Sequence, residues 1–312
     1  MEIKDNNLDR IYRRNYGFWN EQEQEKINNS KIAIAGVGGD GFQLGIKLAM
    51  MGVKNFSVAD PEEFERENSN RVFGAKISTY GKNKAEVFKD MVLDIHPDAK
   101  IEVFNDGVTE DNVEEFLKDS DLLLDESELR YLKIGTMLAR TARKMVIPDL
   151  MVMNIGFSSI ATSFNPKPSW NQSTFESVMG IPKGMPIDEV NSVEVDFSKC
   201  LPYVPSYGDI RSLKAVQEGA SLPSITQGVD VASALGSTEA FFHLTSGLNN
   251  NRRKPTWAPK FRYMDAYNGE SGIIRGSRVS HYMGLVAIAG RSLLGMNPRA
   301  SYSQEDRDRR EK

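Results

Sequence analysis

The stretch KIAIAGVGGDGFQLGIKLAMMG, residues 31–52, decides the fold. A short β-branched and alanine run, Lys31 to Gly36, ends in glycine, and a helical pattern follows through Leu48 and Met51 until Gly52 stops it. Between them Gly36, Gly38 and Gly41 form G-x-G-x-x-G, with Gly39 inside it. The first glycine permits the tight strand-to-helix turn and the second lets backbone approach a phosphate. The third allows helix and strand to pack closely, while the helix N-terminus presents free N–H groups to anionic oxygens. Asp60 ends the next strand 19 residues after Gly41, where a carboxylate accepts from ribose hydroxyls. Alone, this pattern says nucleotide-binding α/β domain; proteins of NAD, FAD, S-adenosylmethionine and ATP all use such a loop.

Working outward, NFSVAD (Asn55 to Asp60) reads as a second strand and Lys82 to Ile95 as a helix halted by Pro97. KIEVF (Lys100 to Phe104) alternates as a third strand, and Val113 to Leu117 is a short acidic helix. DLLLD (Asp121 to Asp125) is a buried fourth strand, Tyr131 to Arg143 a helix, and MVIP (Met145 to Pro148) a fifth strand. Strands alternating with helices of this length indicate βαβ units and a parallel sheet. After Asp149 the rhythm changes: Ile155 to Phe164 is strand-like, and residues 165–223 are rich in Pro, Gly, Ser and Asn, with only short regular pieces. A helix from Val229 to Leu244 follows, then a strand pair at Phe261 to Tyr267 and Gly272 to Arg278. The expected fold class is α/β, a Rossmann-like, mostly parallel sheet with flanking helices, then a loop-rich segment and a C-terminal strand pair plus helix. Five segments result: an arm (1–30), an ATP-binding Rossmann-like domain (31–164), a loop-rich insert suited to the substrate (165–223), a completion of the same domain (224–300) and a flexible tail (301–312).

The composition is that of a soluble globular protein, with 40% apolar and 26% charged residues. A formal net charge of −4 and a pI near 5.6 disfavour nucleic acid as a partner. A single cysteine, Cys200, excludes an intramolecular disulfide and a cysteine-based zinc site. The start carries no apolar signal core, which points to the cytoplasm. The most lipid-like stretch, Tyr282 to Leu294, contains Arg291 and is too short for a bilayer span. It reads as an amphipathic helix packed on the body or on a second subunit.

Cations separate the nucleotide choices. A dinucleotide's pyrophosphate is largely served by backbone amides, whereas a triphosphate carries nearly four negative charges and calls for Arg and Lys side chains. Asn68, Asn70 and Arg71 form an ENSNR cluster soon after Asp60, and Lys84 follows in GKNKA. Sheet geometry returns Arg71 and Lys84 to the mouth of the loop, which favours ATP.

These motifs together resemble the ThiF/MoeB/HesA family, the bacterial relatives of ubiquitin-activating enzymes. The resemblance covers Arg10 to Leu150, and more weakly Pro223 to Leu244. Arg10, Tyr12 and Arg14-Asn15 lie close to the family's R-x-Y-x-R-Q arm. Gly36, Gly38, Gly39 and Gly41 match its glycine loop, Asp60 its aspartate, Asn68 to Arg71 its N-x-N-R cluster, and Gly81 to Ala85 its G-x-x-K-A segment. The resemblance implies an ATP-dependent adenylyltransferase that activates a carboxylate, such as a peptide or ubiquitin-like protein C-terminus or a small acid. It further implies a homodimer in which the arm's Arg14 reaches the partner's triphosphate, with Arg71 and Lys84 gripping phosphates. Three departures stand out. The family's D-x-x-D, which holds Mg²⁺, is here Asp125-Glu-Ser-Glu128, so Glu128 takes the metal-holding place beside Asp125. Ile225 stands near the slot of the usual catalytic cysteine, with Cys200 some distance earlier. The paired C-x-x-C zinc motifs of many relatives are absent, as in members that adenylate and stop.

His96, His243 and His281 are scattered without metal-ligand spacing and suit structural roles. Two roles suit Asp40 inside the glycine loop: capping the helix, which is the simpler, or orienting Mg²⁺. Two other classes of function stay open. A NAD- or FAD-dependent oxidoreductase would use the same loop but leave Arg71 and Lys84 without a task. A non-catalytic nucleotide-binding member would account for Glu128 and Ile225.

Overall fold

The structure, a computed structural model, describes residues 11–128, 131–195, 197–209, 211 and 223–297. The Arg10 part of the arm motif, residues 212–222 of the insert and the tail at 301–312 lie outside these residues. An eight-stranded sheet forms the frame, in the order β3-β2-β1-β4-β5-β6-β7-β8. Its strands are β1 (Lys31–Ala35), β2 (Asn55–Ala59), β3 (Lys100–Phe104), β4 (Leu122–Asp125), β5 (Asp149–Ile155), β6 (Ser158–Phe164), β7 (Lys260–Asp265) and β8 (Glu270–Arg275). The first five are parallel; β6, β7 and β8 each run antiparallel to the strand before.

Residues of β1 alternate between two cores, as the pleat requires. Ile32 and Ile34 face one side with Phe56, Val58, Leu122 and Leu124. There they meet α2 (Gly39–Met51), α3 (Lys84–Ile95) and α8 (Thr226–Leu244) through Leu44, Leu48, Phe88 and Leu235. Ala33 and Ala35 face the other side, beneath α4 (Val113–Leu117) and α5 (Leu132–Met145), with Phe116, Leu123, Met137 and Leu138. Burial on both faces explains why β1 and β4 read as unbroken apolar runs. A further core under β5–β7 gathers the insert: Phe164, Phe175, Met179, Leu201 and Phe261. The insert's regular pieces are short, namely α6 (Phe175–Met179), a 3-10 turn (Ile187–Ser192) and α7 (Phe197–Cys200).

Helix ends follow their signals. Helix α2 stops at Gly52, whose φ of +118° is left-handed, and its N–H donates to the Leu48 and Ala49 carbonyls. Helix α3 starts under Asn83, whose side chain accepts from the Ala85 and Glu86 N–H groups. In the arm, α1 (Glu21–Asn29) begins in a capping box between Asn20 and Glu23.

The fifth strand departs from the sequence expectation. Met145 to Pro148 is not a strand: α5 runs to Met145, and Val146 ends it with a left-handed φ of 63°. Strand β5 starts at Asp149, and the strand expected at Ile155 to Phe164 is the second arm of a hairpin turning at Gly156. An isolated carboxylate reads as a strand's end, and here a buried one begins it. The C-terminal helix is α9 (Arg278–Leu293). It buries His281 and Ile288, while Val279, Tyr282, Met283 and Val286 are exposed. Among the described residues no helix is long and apolar enough to cross a membrane.

Candidate functional site

β1 lies between β2 and β4, and the connections leave it in opposite directions across the sheet. Ligands of such sheets bind beyond the carboxyl ends of the strands at this switch point. Gly36 follows β1, Asp60 follows β2, and Asp125 to Glu128 end or follow β4, so distant stretches of chain converge there.

The glycines are required by close approach. Gly36 adopts a φ of +96°, and a Cβ there would meet the Glu126 carbonyl oxygen at 2.6 Å. A Cβ on Gly41 would come within 2.0 Å of the Gly36 carbonyl oxygen. At Gly38 nothing lies within 4 Å of the added atom, leaving that backbone open to a ligand. Gly39 lies against Val229 of α8, with the Arg71 side chain 4.0 Å from its would-be Cβ.

Asp60 organises the loop from below. Its Oδ2 accepts from the Val37 N–H at 2.8 Å and its Oδ1 from the Glu62 N–H at 2.9 Å. Burial raises its pKa, against the pull of Lys84. A carboxylate has about four lone-pair positions, so capacity remains for ribose hydroxyls. Lys84 is buried at the start of α3 and forms an ion pair with Glu62. Asn70 donates to the Ser224 carbonyl at 3.3 Å and accepts from Arg71 at 2.8 Å, which ties the Arg71 guanidinium to the segment leading into α8. Asn68 accepts from the Glu65 N–H at 3.0 Å and so caps its own turn. Arg14 is exposed on the arm, which buried Tyr12 anchors 3.4 Å from His96.

The acidic side is deeper than the sequence suggested. Asp125 Oδ1 accepts from the Ser127 N–H and hydroxyl at 3.1 and 2.5 Å, while its buried Oδ2 has no hydrogen-bond partner. Asp125 and exposed Glu128 line a small cavity with Ser127, Tyr131 and Gly135. Among the described residues no group of three or more His, Cys, Asp or Glu side chains could hold a metal ion, so a cation here would draw on Asp125 and Glu128 alone and complete its shell with phosphate and water.

Asp40 is not the helix cap. Gly38 holds that position without a side-chain bond, and the Asp40 carboxylate instead accepts from the Asn154 N–H at 3.0 Å and from its side-chain amide at 2.8 and 2.9 Å. Burial pushes its carboxyl up to about 7, although Asn154 and Arg71 pull the other way. Glu126 sits beneath the loop, its Cγ 3.2 Å from the would-be Cβ of Gly41 and its Oε1 without a partner. Burial, then the neighbouring Asp40 and Asp125, raise it well above the usual carboxylate range. Sequence reasoning passed over Glu126, Asn154 and Ser224. The only signal for Glu126 was an unusual acid inside D-E-S-E, and for the other two there was none.

Cys200 is fully buried in the insert's core. The histidines are structural: His96 lies 2.7 Å from the Ala49 carbonyl, His281 2.8 Å from that of Leu201, and His243 2.7 Å from the Ser163 hydroxyl. Burial, helped by Arg253, pushes His243 down to about 3.

Strand order, glycine loop and convergent acids and cations define a Rossmann-type protein with a polar site at the switch point. Residues 12–275 match the ThiF family, and the chain belongs to it. It is 30% identical over 141 residues to the tRNA threonylcarbamoyladenosine dehydratase of Bacillus subtilis, covering 45% of this chain and 55% of that one. It is 26% identical over 178 residues to the vegetative HesA protein of Trichormus variabilis, covering 53% of this chain and 65% of the other. The chain thus spans a little over half to about two thirds of these relatives. Among solved structures, E. coli MccB with ATP superposes with a TM-score of 0.63 at 14% identity, over 86% of this chain and 72% of MccB. PaaA gives 0.61 at 17% identity, over 88% of this chain and 76% of PaaA. At these identities the likeness is one of fold.

Proposed function

We propose that the chain is an ATP-dependent adenylyltransferase that activates a carboxylate, borne on a peptide or protein C-terminus or a small acid. The observation that carries this reading is Arg71, held beside the glycine loop by Asn70 and close to Gly39. A dinucleotide enzyme has no use for a cation there, while a triphosphate needs one. Family membership supports the same conclusion, and E. coli MccB has been solved with ATP.

In this reading ATP lies over Gly36 to Gly41, with its ribose on Asp60 and its phosphates on Asn70, Arg71, Lys84 and the exposed Arg14 of a second subunit. Asn68 supports the turn that presents Asn70 and Arg71. Asp125 and Glu128 would hold Mg²⁺, which when bound offsets phosphate charge. A substrate carboxylate oxygen attacks the α-phosphorus. The bond from that phosphorus to the α,β-bridging oxygen breaks, and pyrophosphate leaves with the electron pair. The chain contributes alignment, and Arg71 and Lys84 take up charge moving toward the leaving group.

The test is ATP–pyrophosphate exchange with Mg²⁺ across a panel of carboxylate donors, including peptides ending in Gly-Gly or Asn. Arg71→Ala should lower exchange about 100-fold or more while leaving the melting temperature unchanged. Undiminished exchange in that variant overturns the assignment, and tighter binding of NAD than of ATP would move the protein to the oxidoreductases.

A further inference from the structure

A second recess lies away from the glycine loop, on the C-terminal half of α5. Gly135 lines the small cavity beside Asp125, and Arg143 is two turns further along the same helix, about 12 Å away along its axis. The recess has a volume of about 780 Å³ and is lined by Arg140, Arg143, Glu176, Ile181, Lys183 and Lys199, among others. That size lies within the range of ligand pockets.

Its charge is unbalanced. Glu176 Oε1 accepts from Arg143 at 2.6 Å and from Arg140 at 3.3 Å, and its Oε2 accepts from Arg143 at 3.0 Å. Burial would raise the Glu176 carboxyl, but Arg143 more than offsets this and holds it at about 2. This single carboxylate serves two guanidiniums that together carry ten N–H donors, and only three of those bonds go to it. Lys183 is exposed and Lys199 half-buried at the rim. Beneath α5, Asp149 is buried with no partner for either oxygen. Burial, with Asp125 and Glu176 nearby, raises it well above the usual range, and it is not among the residues that line the groove. Arg140, Arg143 and Lys183 thus face the single carboxylate of Glu176 in the groove, in a protein whose formal net charge is −4.

We propose that this groove docks an acidic, partly apolar segment of the peptide or protein substrate, at a distance from its reacting carboxylate. The proposal rests on the adenylyltransferase reading for the identity of that substrate. Charge complementarity supplies the attraction, and exposed Pro168 with the Gly180 and Gly184 backbone supplies the apolar part of the surface. Single-stranded RNA fits the groove poorly. None of the lining residues is aromatic, and single-stranded RNA is held by base stacking on aromatic rings.

The test is fluorescence anisotropy of the intact protein with a fluorescein-labelled acidic peptide of sequence ELEELE, without ATP. Wild type should bind it, more weakly as salt rises. The double variant Lys183→Glu/Arg140→Gln should bind at least 10-fold more weakly, with an unchanged melting temperature and unchanged pyrophosphate exchange on a short neutral donor. Equal affinity in the two proteins, no binding by wild type, or tighter binding of an oligouridine probe that the double variant weakens, would each overturn the proposal. The binding readout needs no nucleotide. Exchange without peptide binding therefore refutes the groove alone, and peptide binding without exchange refutes the adenylation reading alone.

Discussion

Asp40→Asn should make the protein more stable at pH 8 than wild type, and the gain should shrink as the pH falls. The carboxyl moves from an ordinary 3.8 to about 7 because it is buried at the start of α2, with Asn154 as its donor, Arg71 nearby and Glu126 facing it. The folded state therefore holds this proton more tightly than the unfolded chain does. The associated stability is complete below pH 4 and lost as the pH rises through 7. The interval corresponds to about 4 kcal/mol, of which roughly 2.5 kcal/mol falls between pH 5 and pH 8. An asparagine keeps the oxygen that accepts from Asn154 and never ionises. Urea titrations of both proteins at pH 5 and pH 8 measure the difference directly. A stability gap between variant and wild type that is the same at both pH values would refute the burial argument, whatever its size.

Two other substitutions probe the frame of the site. Gly41→Ala places a methyl 2.0 Å from the Gly36 carbonyl oxygen, with the Glu126 Cγ 3.2 Å away. ATP affinity by calorimetry should fall more than 10-fold and stability by about 1–3 kcal/mol; wild-type values for both would contradict the close packing. Glu239 is fully buried on α8, and it accepts from the Thr256 N–H at 2.9 Å and from Arg253 at 2.6 Å, with Arg262 at 3.2 Å. Glu239→Ala strips the Thr256 N–H and two partly exposed guanidiniums of their shared acceptor, so chemical denaturation should show a loss of about 1–3 kcal/mol; a loss under about 0.5 kcal/mol would mean that the pairs contribute little.

The glycine loop, its strand and Asp60 were legible because their constraint is local: a tight turn, a buried strand and a capped helix each leave a mark within a few residues. The place of Arg71 beside the loop was legible from the ENSNR cluster next to Asp60, while its task toward a triphosphate belongs to the proposed function. The fifth strand was misplaced because the apolar end of α5 mimics a strand, and because Asp149 is a buried carboxylate at a strand's start. The groove on α5 had no signature at all. Arg140 and Arg143 come from α5, Lys183 from the loop after α6 and Lys199 from α7, and only the packing of the insert under β5–β7 brings them together. Glu126 and Asn154 escaped for the same reason, since each matters through a neighbour more than 80 or 100 residues away.

Helix α8 lies against α2, β5 and β6, and its first turn touches the glycine loop through Val229, while Ser224 just before it accepts from Asn70. This places a wall of the site nearly 190 residues downstream of the loop it covers. During synthesis the parallel strands and the loop emerge early, yet the pocket stays open on one side until α8 has left the ribosome and docked. Competence to hold nucleotide is therefore a late event in the life of the chain, and a product truncated before residue 224 would carry every glycine of the motif without the enclosure they serve.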